Sequence, residues 1–594
     1  MPISTANFEA PAQPFFRRRA VYEEASRENE SPLAIDQIQG NIFPGFSKDF
    51  QTLLFIRIDH PAAFARWLKE LIPYVATMAD VLHFAEQFKA LRWRQGGESH
   101  MVKVTWLNIA FSFAGLKKLE SQGMALDDFT DEAFRAGLLK RSQDGHLGDP
   151  VNTGKAGDPV NWVIGGPDNE ADVMLILAGD DRHDLNNLVA NIVATLFPRQ
   201  DAGGRLITSG ARLIFRQDGA TLNGPLRGHE HFGFRDGISQ PGIRGLLPDG
   251  TLLTPNQNPL NPNQGKPGQD LLWPGEFIFG YPGQDPKKKV EAPGLDPLEN
   301  SKRKAPEFAR HGSFLVFRRL RQDVGAFHRF LQSLAAQFQV PPELVGAKMV
   351  GRWASGAPAV VTPDRDDHHL AADDCRNNSF EFGEEGEEEG EAVQPRTELT
   401  GDCPNPSEPL TDPEGVKVPF AAHIRKVYPR NDRSDEMPEL SESSTQTHRL
   451  LRRGIPYGTQ SSSTSAQPID DEADRGLLFL AYQTSIVDQF EFVTKAANNT
   501  GFKQGGAGFD PIIGQNATDS NRSRSFHLNL PRETQPIETD REWVIPTGGG
   551  YFFAPSLSGL RTLASFVGAG GSSRRKRPRI TRPRRPRRSS AASR

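Results

Sequence analysis

Hydrophobic residues along this chain alternate between two periodicities, and the alternation is written twice. Residues 52–58 (TLLFIRI) form a short run rich in apolar side chains, which predicts a strand. The run passes through Asp59 into a stretch where Phe64, Trp67, Leu68 and Leu71 recur at three- and four-residue spacings, the period of an amphipathic helix. From Phe314 the same order returns as FLVFRRL, then Asp323, then Phe327, Phe330, Leu331 and Leu334. A second pair of segments agrees with the first. VTWLNIAFSF leads into GLKKLESQG in one half, and GLLFLAYQTS leads into VDQFEFVTKAANN in the other. Each half therefore reads strand, helix, strands, helix, the order of a ferredoxin-like unit with helices on one face of a mainly antiparallel sheet. The expectation is an α+β fold of two duplicated ferredoxin-like domains. A ligand cavity then belongs between the sheet and helices of one domain, or near the domain boundary.

The pattern lapses at both ends and in two inserts. The division expected is an N-terminal arm over 1–30, a first domain over 31–225, a second over 226–567 and a tail over 568–594. Within the second domain, the region from about 377 to 412 contains EFGEEGEEEGE, seven glutamates in eleven residues, which reads as a solvated surface insertion. RNDRSDEMPELSESSTQ (430–446) is a second polar insert. From Arg574 to Arg594 there are eleven Lys or Arg, several prolines and no acid, so the tail reads as a disordered basic arm whose charge suits anionic surfaces or nucleic acid. The whole chain carries −4, which leaves −15 on the remainder, so the folded body is acidic.

With 594 residues and 37% hydrophobic content the chain can bury a sizeable core. No run of eighteen apolar residues stands in it, and Arg17, Arg18 and Arg19 are followed by no apolar segment of the kind a leader needs, so the sequence predicts no membrane span and a cytoplasmic location. Its two cysteines, Cys375 and Cys403, lie in polar loop-like sequence and offer neither a disulfide framework nor a thiolate cluster. Without a C-x-x-C-H stretch, covalent c-type haem attachment is excluded as well.

The most informative stretch is GHEHFGFRDGISQPGI (228–243). Gly233 and Gly237 suit a tight turn that pushes the Asp236 side chain into a cavity and lets a flat cofactor approach the backbone closely. An Asp-Gly pair can equally cap a helix or close an Asx-turn.

G-F-R-D-G followed by ISQP resembles the Gly-x-x-Asp-Gly signature of the dye-decolorising peroxidases. IQGNIFPGF, NIAFSFAGLKKL, GRWASGAP, PFAAHIRKVYPR, RRGIPYG, RGLLFLAYQ and FDPIIG resemble further blocks of that family, in its order, over roughly residues 35–566. The resemblance implies a dimeric α/β barrel-like architecture and one non-covalent haem b per chain, bound in the C-terminal domain. By the same resemblance His423 is the axial ligand, a sensible role for a neutral imidazole, and Asp510 accepts its other ring N–H. Arg430, with Arg425 as a second candidate, pairs with the haem propionates, where a guanidinium fork matches a carboxylate. Asp236 becomes the proton shuttle and Arg452 the distal cation, with the adjacent Arg453 as the fallback. Leu477 and Phe479 wall the pocket, while Gly233 and Gly237 let the backbone lie close to the cofactor. Tyr457 is the first candidate for an electron relay to the surface, ahead of Trp353 and Trp543.

The activity implied is reduction of hydrogen peroxide to water through a ferryl intermediate, with oxidation of bulky dyes, phenols or similar donors. The alternative on the same scaffold is a haem-binding protein without peroxidase turnover, either a carrier or an enzyme that releases iron from haem. Such a protein has no need to pair Asp236 with Arg452. Neither the physiological reductant nor the oligomeric state is written in the sequence, and an oligomer is compatible with it.

Overall fold

The first apolar run becomes strand β1 (Phe50–Ile58) and the periodic stretch after it helix α1 (Pro61–Leu71), which starts on a proline whose missing N–H costs nothing there. The structure is a computed structural model. It describes residues 30–567 except 96–102, 122, 201–203, 205, 259, 262, 286–303, 384–402, 404–407, 433–440 and 502–506. The first half continues with β2 (Thr105–Phe111), α2 (Phe113–Lys118), β3 (Val173–Gly179), α3 (Arg182–Leu196) and β4 (Ala211–Ala220). The second half repeats the theme with β5 (Ser313–Gln322), α4 (Val324–Phe338), α5 (Pro342–Val350), α6 (His423–Val427), β6 (Leu451–Arg452), β7 (Ile455–Tyr457) and β8 (Gly476–Gln483). A π-helical turn (Ile486–Glu491) then runs into α7 (Phe492–Asn498), and β9 (Val544–Ala554) and α8 (Leu557–Ala564) follow.

These nine strands form one sheet in the order β6–β8–β5–β9–β2–β3–β1–β4, with β7 also on β8, and every pairing is antiparallel. Read by halves, the orders β4–β1–β3–β2 and β9–β5–β8–β6 are the same ferredoxin-like order twice, as the duplicated pattern predicts. The halves join where β9 meets β2, at the pair Phe553 and Phe111. The far edges also approach: a Cβ on Gly219 of β4 would lie 2.8 Å from Ile455 Cγ2 and 3.0 Å from the Pro456 carbonyl of β7.

Both faces of the curled sheet are buried. On β1, Leu54, Ile56 and Ile58 pack with Phe64, Trp67 and Leu68 of α1, while Leu53 and Phe55 point inward. There Phe55 meets Phe317 of β5 at 5.1 Å between ring centres, so side chains from the two halves fill the interior together. The helices cover the outer face. In the second half, Phe327, Leu331, Leu334 and Phe338 of α4 pack with Trp543 and Phe526.

Cys375 and Cys403 are joined in a disulfide, 28 residues apart, which corrects the expectation that the pair forms no structural link. Two cysteines cannot make a framework, but one bridge is enough to close the acidic insertion at its base. The core of that insertion (384–402), the arm (1–29) and the basic tail (568–594) lie outside the described residues. Among the described residues no helix is long and apolar enough to cross a membrane.

Candidate active site

Strand alternation builds one wall of the principal cavity. Arg318, Leu320 and Gln322 of β5 point to the same face, and their neighbours across the ladder extend it: Leu477 and Pro546 flank Leu320, and Phe479 flanks Arg318. The rest of the wall comes from the 230–239 loop, from α5 and α6, from Phe490, Val493 and Thr494 around the π-helical turn, and from Ile512 and Ile513. The cavity holds about 350 Å³ and lies between the outer face of the second half's sheet and its helices.

His423 is the first residue of α6 and lines this cavity. Its Nδ1 lies 2.8 Å from Asp510 Oδ2, while Oδ1 of the same carboxylate accepts the N–H groups of Ile512 and Ile513 at 2.7 and 3.1 Å. The Asp510 carboxylate is fully buried and accepts at this nitrogen, so a neutral His423 carries its proton on Nδ1 and keeps a lone pair on Nε2. Burial opposes the charged ring, but the Asp510 charge and hydrogen bond outweigh it and raise the pKa above the ordinary value.

Asp236 lies in the turn, between Gly233 (φ 95°) and Gly237 (φ 79°), two backbone conformations that a side chain rarely adopts. The Gly237 N–H donates to Asp236 Oδ1 at 2.6 Å and Arg452 NH1 to the same oxygen at 2.9 Å. Arg452 also donates to the Ser239 carbonyl at 3.3 Å, and Gln240 holds its backbone from both sides. Burial in the cavity pushes the Asp236 pKa up; the Arg452 charge and the Gly237 N–H more than offset that and leave it below the usual carboxylate value. Asp236, Arg452 and His423 all line the cavity, and each is close enough to feel the others' charges.

Residues 37–202 match the model of the DyP dimeric alpha+beta barrel domain. The dye-decolorizing peroxidase msp1 of Mycetinis scorodonius is 32% identical over 561 residues, 91% of this chain and 90% of that protein. The chain belongs to the dye-decolorising peroxidase family. An ancestral D-type dye decolorizing peroxidase has a structure that covers 89% of this chain and 99% of its own at 34% identity, with a TM-score of 0.67. The fungal DyP-type peroxidase of Auricularia auricula-judae covers 90% and 100% at 28% identity, with a TM-score of 0.65. Dye-decolorising peroxidases are haem enzymes, and this chain is an enzyme of their type.

The residues present fit such a group. The cavity is walled mainly by apolar side chains, one imidazole nitrogen is left as a donor, and the buried Arg352 and Arg430 are among its lining residues. Ser239, on the same wall, has a buried hydroxyl without a hydrogen-bond partner among the described residues.

Of the residues singled out from sequence, Asp236, Gly237, His423, Arg430, Arg452, Leu477 and Phe479 line the cavity, and Asp510 stands behind His423. Gly233 shapes the turn without reaching the wall. Arg425 does not meet the cavity, which corrects the expectation that it pairs with the cofactor. Its guanidinium grips Asp432 with two bonds of 2.8 Å and is enclosed between Phe382 and Phe420. The two adjacent arginines part where β6 ends: Arg453, the residue after it, turns away and donates to the carbonyls of Asn41 and Ile42. Tyr457 is buried behind the wall, with Arg319 4.2 Å over its ring and its hydroxyl 3.3 Å from Asp474. Trp353 and Trp543 are buried as well, their N–H groups bonded to the Thr362 and Pro511 carbonyls. Sequence reasoning missed Arg352, Asn378 and Glu230. Arg352 sits inside GRWASGAP and Glu230 inside the Asp236 block, but Asn378 stands in a polar stretch without any signal.

Proposed function

We propose that this chain binds one non-covalent haem b with His423 as its axial ligand and reduces hydrogen peroxide at the expense of bulky dyes, phenols or similar donors. When bound, the haem supplies a redox-active iron that takes two oxidising equivalents from peroxide. Asp236, ionised beside Arg452, accepts a proton from peroxide and returns one to the departing oxygen. Arg452 keeps that carboxylate anionic and stabilises the negative charge on the oxygen that leaves. Asp510 holds the His423 proton at Nδ1 and makes the ring a stronger donor. Leu477 and Phe479 keep the wall apolar, and Arg430 takes a propionate. Tyr457 serves as electron relay, passing its phenol proton toward the exposed Asp474.

The observation that carries this reading is the 2.9 Å Asp236–Arg452 pair in the same cavity as the Asp510-bonded His423. A haem carrier has no use for that pair. Purified protein should show a Soret band that peroxide shifts and a phenolic or anthraquinone donor restores. A chain that stays colourless after haem supplementation would overturn the proposal. Asp236→Asn should keep the Soret band and slow its peroxide-driven shift by about 10²–10⁴-fold, the usual worth of a positioned proton-transfer group. His423→Ala should weaken haem retention.

The disulfide bears on location. Such links persist mainly where thiols are kept oxidised, so the cysteine pair argues for an oxidising compartment over the cytoplasm expected from sequence.

A further inference from the structure

Among the described residues, Tyr428 is the one tyrosine or tryptophan that lines the cavity. It follows directly on α6, five residues after His423, and its N–H closes the helix by donating to the Ile424 carbonyl at 3.1 Å. The short helix that carries the imidazole therefore also sets this ring in the cavity wall.

The phenol has a carboxylate as its partner. Asp270 Oδ2 accepts from the Tyr428 hydroxyl and, at the same oxygen, from Arg449 NH1. Asp270 stands just before the strand Leu271–Leu272, where its carbonyl accepts from the Gly242 N–H at 2.8 Å. Arg449 lies 3.6 Å over the Tyr428 ring, so it covers the aromatic face as well as pairing with the carboxylate. The Asp270 and Arg449 side chains are 4% and 7% exposed, which closes the pair off from solvent. Burial keeps the phenol protonated well above its ordinary value. Loss of an electron reverses that preference, because an oxidised phenol is a strong acid and gives its proton to a base within hydrogen-bond reach.

Tyr457 offers a contrast. Its hydroxyl reaches Asp474, whose side chain is 61% exposed. A proton given to Asp474 escapes to water, whereas a proton given to Asp270 is kept.

We propose that Tyr428 is an internal store for one oxidising equivalent, with Asp270 holding its proton. One electron passes from the phenol to the peroxide-oxidised cofactor, the O–H bond breaks, and the proton moves to Asp270 Oδ2. A neutral tyrosyl radical is left beside a carboxylic acid. When a donor returns an electron, Asp270 returns the proton and the phenol is restored. Peroxide delivers two equivalents at once and a phenolic donor takes one at a time, so the store keeps the second equivalent inside the protein between donors. Arg449 acts only through Asp270 and the ring and is a positioning residue. This inference rests on the haem reading above, and its readout is a radical spectrum rather than turnover.

The experiment mixes the haem-loaded full chain with equimolar hydrogen peroxide and no donor, freezes it rapidly, and reads electron paramagnetic resonance alongside the Soret band. Wild type should give a tyrosyl signal that narrows when the tyrosine rings are deuterated and that couples to an exchangeable proton, the one held by Asp270. Tyr457→Phe should keep this signal. Tyr428→Phe, which retains the ring under Arg449 and removes only the hydroxyl, should lose it while the Soret band still shifts with peroxide. Asp270→Asn still accepts a hydrogen bond but takes no proton, and should lose it too. A signal that survives either change, or is absent from a wild type whose Soret band shifts, would overturn the store and leave the haem reading standing. If neither variant folds, wild type decides: a tyrosyl spectrum unchanged in deuterated water has no adjacent acid holding its proton and overturns the proposal. A wild-type Soret band that ignores peroxide counts against the haem reading and removes the store with it.

Discussion

The carboxylate of Asp236 is held ionised chiefly by the neighbouring Arg452 cation, and that dependence has a measurable sign. Because Arg452 and the Gly237 N–H lower its pKa, Asp236 stays charged below the ordinary carboxylate value of about 3.9, and the rate of reaction with peroxide should fall only as pH drops below that. Arg452→Leu removes the larger stabilising charge, so the acid limb of a stopped-flow rate profile should move to higher pH while the maximum rate also falls. A limb that stays in place would show that Arg452 does not set the Asp236 charge. At this scale the sequence was legible where a motif fixed both identity and backbone, as the two glycines around Asp236 do. It was not legible where two residues of one type compete. Arg425 and Arg430 both follow His423 closely, and only packing tells that Arg425 is claimed by Asp432 while Arg430 reaches the cavity. The cysteine pairing was equally hidden, since residues 28 apart in polar sequence carry no local sign of contact.

Elements repeat more faithfully than their ends. Strand β1 with α1 and strand β5 with α4 follow one plan, yet α1 begins on Pro61 with no side-chain cap, whereas Asp323 caps α4 by accepting from the Ala326 N–H at 3.2 Å. Asp323→Ala should therefore cost about 1 kcal/mol in denaturant unfolding, with the midpoint shifted and the slope unchanged. The helical and strand periods were readable in both halves because each of these elements buries a defined face. The 221–312 region was not readable in that way. It is held by two-residue strands such as Gly242–Ile243 with Leu271–Leu272, and by side-chain bonds such as that of Tyr428 to Asp270, none of which leaves a periodic trace.

For the molecule as a whole, two adjacent groups, the half-buried Glu230 and the buried His231, couple stability to pH in opposite directions. Burial lifts Glu230 from 4.5 to about 7, so its contribution is fully present below 4.5 and is lost as pH rises toward 7. Burial depresses His231 from 6.5 to about 4, so its contribution is present above 6.5 and is lost as pH falls toward 4. Each is worth on the order of 3 kcal/mol, and between 4.5 and 6.5 they nearly cancel. Glu230→Gln should expose the remaining slope, so that unfolding free energy climbs with pH by roughly 3 kcal/mol across that window while wild type stays nearly flat. A Glu230→Gln profile as flat as wild type would rule out this balance.

The place of β9 also governs the order of events during synthesis. This late strand lies mid-sheet, laddered to β5 on one side and joined to β2 on the other, and its Val544 and Pro546 belong to the cavity wall. A ribosome that has released only the first 540 residues therefore holds a chain without the strand that bridges the two half-sheets, and a pocket open along one flank. A chain truncated before Val544 lacks that flank of the cavity, and on the haem reading it should retain less haem than the full chain.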